Sequence, residues 1–146
     1  MPSERKVYWD SDVFIDLIEQ TPSRIQRIQP IVTAAERGSI VIVTSALTMA
    51  EVVKLKNLGL LDEQTEQVVT DFFENDYISI RNVDRFVAER ARPIVRKCCV
   101  KPPDAIQIAT AILMEVEVMY TFDAKLVGLS GSDEVDKLKI EEPPAP

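Results

Sequence analysis

The strongest constraint on the fold is the run IVIV at residues 40–43, which lies between two segments with helical patterning. Gly38 precedes this run and Thr44 and Ser45 follow it, so the run has the length and the flanking residues of a strand. Because it contains no polar position, it is typical of a parallel strand that helices cover on both faces. The run therefore predicts an α/β fold with a buried central strand.

Short apolar segments alternate with longer helical segments along the rest of the chain. Further strands are predicted at residues 6–9, 77–80, 116–120 and 138–140, and helices at residues 13–19, 23–37, 46–56, 63–74 with Asp62 as its cap, 83–99 and 104–115. Pro93 is expected to kink or split its helix, and Pro102 and Pro103 are expected to break the chain before Asp104. The alternation predicts right-handed crossovers and a mostly parallel sheet with helices on both faces.

The length of 146 residues fits one domain, which we assign to residues 1–146. An ordered core is predicted from about residue 6 to residue 140, with loose ends at residues 1–5 and a disordered tail at residues 141–146 (EEPPAP). The N-terminus has no secretory signal, and no apolar run has the length of a membrane span. Cys98 and Cys99 are adjacent and fit neither a disulfide framework nor a metal site. A cytoplasmic protein without membrane partners is therefore expected.

The chain contains no histidine, which excludes every catalytic mechanism that needs a histidine base or a histidine zinc ligand. Its formal net charge of −7 argues against a broad basic surface for nucleic acids. An enzyme of this composition has carboxylates, hydroxyls, lysine or a bound metal as its chemical groups.

Four carboxylates occur at positions where the predicted sheet should bring them together. Asp10 follows the first strand, Glu51 lies in the helix after the second strand, Asp104 begins the helix before residues 116–120, and Asp123 follows that strand. Ligands bind parallel sheets at the carboxyl ends of the strands. Mg²⁺ and Mn²⁺ prefer oxygen ligands, and such ions neutralise the charge that develops on a phosphate during cleavage. The pattern predicts a metal site that hydrolyses phosphodiesters.

Structural roles remain open for three of these aspartates. Either Asp10 or, more readily, Asp12 can cap the first helix, and Asp123 can be a turn residue. Asp104 and Gln107 are spaced as in a capping box. Capping does not exclude metal binding, because a carboxylate has two oxygens.

Glu51 has apolar neighbours on its predicted helix, where Leu47 and Leu55 lie four positions to either side. A carboxylate in such surroundings must be paired, protonated or bound to a cation. The alternative interpretation is a surface pair between Glu51 and Lys54.

Four segments resemble, in order, the motifs of the PIN-domain family: residues 7–17 (VYWDSDVFIDL), 44–51 (TSALTMAE), 103–111 (PDAIQIATA) and 120–126 (YTFDAKL). The resemblance implies a three-layer α/β/α fold with a five-stranded parallel sheet. It also implies cleavage of RNA with Mg²⁺ or Mn²⁺, the catalytic and metal-binding residues being Asp10, Glu51, Asp104 and Asp123.

By the same resemblance, Ser11, Thr44 and Thr121 are candidates to orient carboxylates or waters. Asp12 stands where the family often has Asn or Ser, which adds a negative charge near the site. Many small members of the family are similar to VapC, the toxin of a toxin–antitoxin pair. This similarity implies an antitoxin and a homodimer as partners.

A basic stripe on the helix at residues 83–99 is the candidate surface for RNA. Arg85, Arg92 and Arg96 fall on one face of this helix, and Lys101 follows it, shortly before Asp104. Arg92, Arg96 and Lys101 are therefore candidate RNA-binding residues. The alternative is an ordinary solvated face on which Glu89 pairs with its arginine neighbours.

Other protein classes also fit part of the pattern. Asp10, Asp12 and Thr44 suit a haloacid-dehalogenase-like phosphatase, although Phe14 stands where such enzymes have Thr or Val and two of the acids stay unexplained. A non-catalytic PIN-like module that binds RNA or protein is the second alternative. A receiver domain fits less well, because Arg81 rather than an aspartate follows the strand at residues 77–80.

Overall fold

The structure is a computed structural model that describes residues 5–146. Its strands are β1 (Arg5–Trp9), β2 (Ile40–Ser45), β3 (Lys54–Leu55), β4 (Gly59–Leu60), β5 (Ile78–Arg81), β6 (Val118–Tyr120) and β7 (Ile140–Glu141). Its α-helices are α1 (Ser11–Glu19), α2 (Pro22–Glu36), α3 (Ala46–Glu51), α4 (Glu63–Phe73), α5 (Arg85–Cys98), α6 (Pro102–Leu113) and α7 (Ala124–Val127), and a 3₁₀ helix spans Asp133–Val135.

The central sheet has five strands in the order β5-β2-β1-β6-β7, and every neighbouring pair is parallel. Strands β2 and β5, which follow β1 in the chain, lie on one side of it in the sheet. Strands β6 and β7, which come later in the chain, lie on the other side of β1. The carboxyl ends of β1 and β6 therefore meet where the connectivity reverses, which is where parallel sheets bind ligands.

Two hydrophobic layers hold the helices to the faces of the sheet. On one face, Trp9 and Phe14 pack with residues of α2 and α4, and the two rings are edge to face with centroids 5.0 Å apart. On the other face, Tyr8 and Val43 pack against Ile108 of α6 and residues of α5. Successive residues of β1 thus point to opposite layers, as the pleat requires. The predicted three-layer α/β/α fold is confirmed.

Helix α3 is shorter than predicted, because it ends at Glu51 rather than near residue 56. A small antiparallel hairpin follows, in which Lys54 pairs with Leu60 and Leu55 with Gly59. Gly59 has a φ of 75°, a conformation that glycine adopts without steric cost. The apolar spacing of Leu47 and Leu55 predicts one continuous helix, but the two residues lie in α3 and β3 respectively.

The prolines act differently from the prediction at two places. Helix α5 continues through Pro93 as a single element, so of the two predicted effects, a kink or a split, the split does not occur. Pro102 does not break the chain but begins α6, with Lys101 as its N-cap. Proline is favoured in a first helical turn, where its fixed φ suits the helix and its missing N–H is not needed. Asp104 is consequently the third residue of α6 and not its cap.

The chain ends also differ in part from the prediction. Arg5, expected in a loose end, begins β1, whereas the expectation for residues 1–4 lies outside the described residues. Glu141 belongs to β7 and pairs with Tyr120, so the tail does not begin at residue 141. Pro143 is buried. The assignment of residues 1–146 to one domain remains a prediction.

Candidate active site

Asp10 lies at the carboxyl end of β1 and caps α1. Its side chain is only 6% exposed, and its Oδ1 accepts a hydrogen bond from the Val13 amide at 3.3 Å. The prediction that Asp12 is the cap is wrong, because Asp12 lies one residue inside the helix. Asp10 thus lies between the end of β1 at Trp9 and the start of α1 at Ser11, and it satisfies one of the free amides of the first turn of α1.

Thr121, at the carboxyl end of β6, provides the second contact to Asp10. Its buried hydroxyl donates a hydrogen bond to Asp10 Oδ2 and accepts one from the Asp123 amide at 3.1 Å. Asp123 itself caps α7 by accepting from the Lys125 amide at 2.9 Å. One threonine therefore joins the acid after β1 to the acid after β6.

Glu51, the last residue of α3, is exposed and not surrounded by apolar side chains, so that part of the sequence interpretation is wrong. Leu55 lies in β3 and Leu58 is 74% exposed. The carboxylate is nevertheless held: Ser11 Oγ donates to Glu51 Oε1 at 2.5 Å, and Gln107 Nε2 donates to the same oxygen at 3.0 Å. No salt bridge links Glu51 to Lys54 within the described part of the chain.

Gln107 is the residue that sequence reasoning did not identify as part of the site. It is 3% exposed, and its amide nitrogen lies within hydrogen-bonding distance of Ser11, Thr48 and Glu51 at 3.2, 3.1 and 3.0 Å. Its carbonyl oxygen accepts a hydrogen bond from the Tyr8 hydroxyl. A single long polar side chain within the apolar helix α6 was the available signal.

Thr44 is fully buried, and none of its hydrogen bonds to the described residues involves a carboxylate. Its hydroxyl lies 2.8 Å from the carbonyl oxygen of Trp9 and 2.8 Å from the Thr48 hydroxyl. Thr44 thus connects the end of β2 to the residue before Asp10 and, through Thr48, to Gln107. Thr44 therefore contacts Trp9 and Thr48, which are next to residues of the site.

The acids influence one another electrostatically. Burial raises the pKa of Asp10 to about 7, the hydrogen bond from Thr121 opposes this shift, and the charge of Asp12 adds to it. The pKa of Asp104 is also raised, first by partial burial and then by the charges of Asp123 and Glu51. Five carboxylates therefore contribute to one negative region.

The chemistry of this region fits Mg²⁺ or Mn²⁺ in one respect and not in another. All the acidic ligands offer oxygen, the donor that these ions prefer. However, in residues 5–146 no three acidic or cysteine side chains are close enough together to ligate one ion. Asp104 and Asp123 are only partly buried, so their side chains are accessible to an ion from solvent.

The basic candidates lie beside this region and not within it. Arg92 and Arg96 are exposed on α5 and line a groove of about 340 Å³ together with Pro102 and Ile106 of α6. In the part of the chain that is described, neither arginine forms a salt bridge, since Glu89 pairs with Arg85 at 2.6 Å. Lys101 is exposed, and its charge partly opposes the rise in the pKa of Asp104.

The sequence matches the PIN domain family over residues 7–130, so this chain belongs to that family. The match removes the support for the phosphatase and receiver alternatives, which are different classes of protein. No curated protein matches the sequence significantly. Among residues 5–146, every helix is too short or too polar to cross a membrane.

Three solved structures show a similar fold. One is a toxin–antitoxin complex from Klebsiella pneumoniae, with 22% identity, a TM-score of 0.66, and coverage of 96% of this chain and 99% of that chain. VapBC2 from Rickettsia felis, bound to a DNA fragment from its promoter, has 14% identity, a TM-score of 0.65 and coverages of 94% and 98%. VapC20 from Mycobacterium tuberculosis, a toxin that cleaves the sarcin–ricin loop, has 13% identity, a TM-score of 0.65 and coverages of 84% and 94%.

Proposed function

We propose that this PIN-domain protein is an endoribonuclease that uses Mg²⁺ or Mn²⁺, with Asp10, Glu51, Asp104 and Asp123 as its catalytic and metal-binding acids. The observation that carries the proposal is the negative region at the carboxyl ends of β1 and β6, where the connectivity of the sheet reverses. There the pKa of Asp104 is raised by the charges of Asp123 and Glu51, while the charge of Asp12 raises that of Asp10. Among the described residues, none of these acids has a salt-bridge partner, so a bound cation would relieve their repulsion.

The side chains around the acids prepare them for this role. Thr121 orients Asp10, while Ser11 and Gln107 hold Glu51, so three elements fix two of the acids before substrate binds. When bound, Mg²⁺ or Mn²⁺ supplies positive charge that stabilises the charge developing on the phosphate oxygens. Asp12 adds negative charge beside the site and thereby strengthens the attraction for a cation.

The direct test is cleavage of a mixed-sequence single-stranded RNA by the wild-type protein with Mg²⁺, Mn²⁺ or EDTA. We expect internal cleavage with a divalent ion and none with EDTA. Asp104→Asn, purified identically, should lower the rate at least about a hundredfold, since one acid of the charged cluster is neutralised. Asp76→Asn, an exposed acid in the loop before β5, is the matched control and should retain the wild-type rate.

Cleavage that persists in EDTA, or that Asp104→Asn leaves unchanged, would contradict the proposal. RNA binding by the folded protein without turnover under any of these conditions would instead support the non-catalytic module. Gel electrophoresis of the RNA products detects cleavage, and a parallel filter-binding measurement detects RNA binding without turnover.

We also propose that Arg92, Arg96 and Lys101 attract the RNA backbone. The first two lie at the groove between α5 and α6 and form no salt bridge with any residue from 5 to 146, and Lys101 precedes the helix that bears Asp104. Reversing both arginines to glutamate should weaken RNA binding at least about tenfold. It should also reduce the slope of log affinity against log salt concentration by the amount expected for the loss of about two phosphate contacts. Arg85→Glu, which alters a guanidinium that Glu89 already neutralises, is the control.

A toxin–antitoxin role is the physiological setting we propose. The similar structures from Klebsiella pneumoniae and Rickettsia felis include antitoxins, which supports an antitoxin as the partner of this chain. A homodimer and a cytoplasmic location accord with this role. Co-expression with the product of the adjacent gene should restore growth to cells that the wild-type protein arrests, and Asp104→Asn should not arrest them.

A further inference from the structure

A buried carboxylate outside the acidic site joins three parts of the fold. Asp16 of α1 is 1% exposed and accepts hydrogen bonds from Thr21 Oγ1 at 2.9 Å and from Arg24 Nη1 at 2.8 Å. Lys56, in the turn between β3 and β4, contributes its ammonium group at 3.4 Å. Because a buried carboxylate must be paired, Asp16 holds the Arg24 guanidinium in a defined position.

The same guanidinium also contacts the loop that bears Asp123. The guanidinium carbon Cζ of Arg24 lies 4.3 Å from the centroid of the Phe122 ring, within the range of a cation–π interaction. Arg27 lies at 6.0 Å from this centroid, at the limit of that range. Phe122 is the residue between Thr121 and Asp123, so Arg24 contacts the segment that connects two residues of the site.

Arg24 thereby links the two elements that Thr121 already joins. Helix α1 begins at Asp10 and carries Asp16, and the loop after β6 carries Asp123. The first link is the hydrogen bond from Thr121 to Asp10, and the second runs from Asp16 through Arg24 to Phe122. A single link permits rotation about it, whereas two links fix the orientation of the loop.

We propose that Arg24 is a positioning residue that sets the placement of Asp123 relative to Asp10 and so determines the affinity of the site for its divalent ion. This inference rests on the proposed function. Arginine suits the role because its planar group donates a hydrogen bond to Asp16 while the same group lies over the Phe122 ring. A lysine can keep the charge but cannot make both contacts with one flat group.

The test compares Arg24→Met with Lys56→Met by titration of the RNA-free protein with Mn²⁺. Both substitutions remove a cation from Asp16, but only the first removes the contact with Phe122. Arg24→Met should raise the dissociation constant for Mn²⁺ at least about tenfold, the effect usual for residues that orient metal ligands. Lys56→Met should leave it within about twofold, and Arg24→Lys should recover part of the loss.

Amide hydrogen exchange supplies a readout that needs no metal. The Asp123 amide donates to Thr121 Oγ1 at 3.1 Å, and the Lys125 amide in the first turn of α7 donates to Asp123 Oδ1 at 2.9 Å, so loosening of the loop accelerates the exchange of both. We expect Arg24→Met to accelerate both at least about tenfold, and Lys56→Met to leave both unchanged. Phe122→Leu, which keeps the pair between Arg24 and Asp16, should accelerate them as well and serves if Arg24→Met does not fold.

Unchanged exchange in both Arg24→Met and Phe122→Leu would overturn the inference, as would equal Mn²⁺ affinity in Arg24→Met and Lys56→Met. If the wild-type protein binds no Mn²⁺, the metal-dependent function fails and the claim about metal affinity fails with it. The exchange measurement then still decides whether Arg24 positions the loop.

Discussion

Replacing Asp10 with asparagine is expected to abolish RNA cleavage and, at the same time, to stabilise the metal-free protein at pH 8. The loss of cleavage, about a hundredfold or more, follows from removing an acid that the proposed metal site requires. The gain in stability follows from burial, because the pKa of Asp10 is raised from 3.8 to about 7. Asparagine keeps a carbonyl oxygen for the hydrogen bond from Thr121 but carries no charge.

The sign of the pH effect follows from proton binding. Between pH 3.8 and about 7, folded Asp10 holds a proton that the unfolded chain has already lost. The stability that this group contributes is therefore fully present below pH 3.8, and it is lost as the pH rises towards 7. Asp62 and Asp84 have lowered pKa values and lose their contribution only in more acidic solution, so they do not disturb a comparison between pH 5.5 and 8.

Urea denaturation in EDTA at pH 5.5 and pH 8 measures this effect. The wild-type free energy of unfolding should be lower at pH 8 by about 1–3 kcal/mol, and Asp10→Asn should remove most of this difference. Asp76→Asn is the control for loss of an exposed negative charge and should behave as the wild type does. A variant that is inactive and also less stable than the wild type at pH 8 would show that Asp10 is a stabilising ionised residue.

Gln107→Leu is expected to have the second largest effect, and it should lower stability and activity together. Leucine fills most of the volume but leaves the Tyr8 hydroxyl without its acceptor and Glu51 without one of its two donors. Of these two groups only the Tyr8 hydroxyl is buried, and an unpaired buried polar group costs about 1–3 kcal/mol, so the free energy of unfolding should fall by about that amount. Cleavage should fall about 10–100-fold, because Glu51 is less well oriented.

Thr110→Val is the matched control in the same helix. Thr110 is buried one turn further along α6, and its hydroxyl donates a hydrogen bond to the carbonyl oxygen of Ile106 at 2.7 Å. This variant should lose about 1 kcal/mol of stability and keep the wild-type cleavage rate per folded molecule. If Gln107→Leu behaves in the same way, the contact between Gln107 and Glu51 is not used in catalysis.

The order of strands and helices could be predicted from the sequence because the sheet is buried on both faces. Runs such as residues 40–43 contain only apolar residues, and the acids at the ends of strands follow from chain order alone. Asp10, Thr121 and Asp123 could be located in this way. Their hydrogen bonds required the structure, as did the choice between Asp10 and Asp12 as the helix cap.

The surroundings of Glu51 could not be predicted, because helical periodicity does not show where a helix ends. Leu47 and Leu55 have the spacing of one apolar face, but the chain turns into a hairpin after Glu51. Gln107 was missed because it occupies a buried position among apolar neighbours and only the fold brings Tyr8, Ser11 and Glu51 to it. Contacts between residues far apart in the chain are absent from any local pattern.

The hydrogen bond between Thr121 and Asp10 spans 111 positions of the chain, which has a consequence for synthesis. At about 5–20 residues per second, the ribosome needs on the order of ten seconds to proceed from the first acid to the last. Parallel pairing of β1 with β6 is also a slow step, since it closes a long loop. The contact between Thr121 and Asp10 can therefore form only after almost the whole domain has been synthesised.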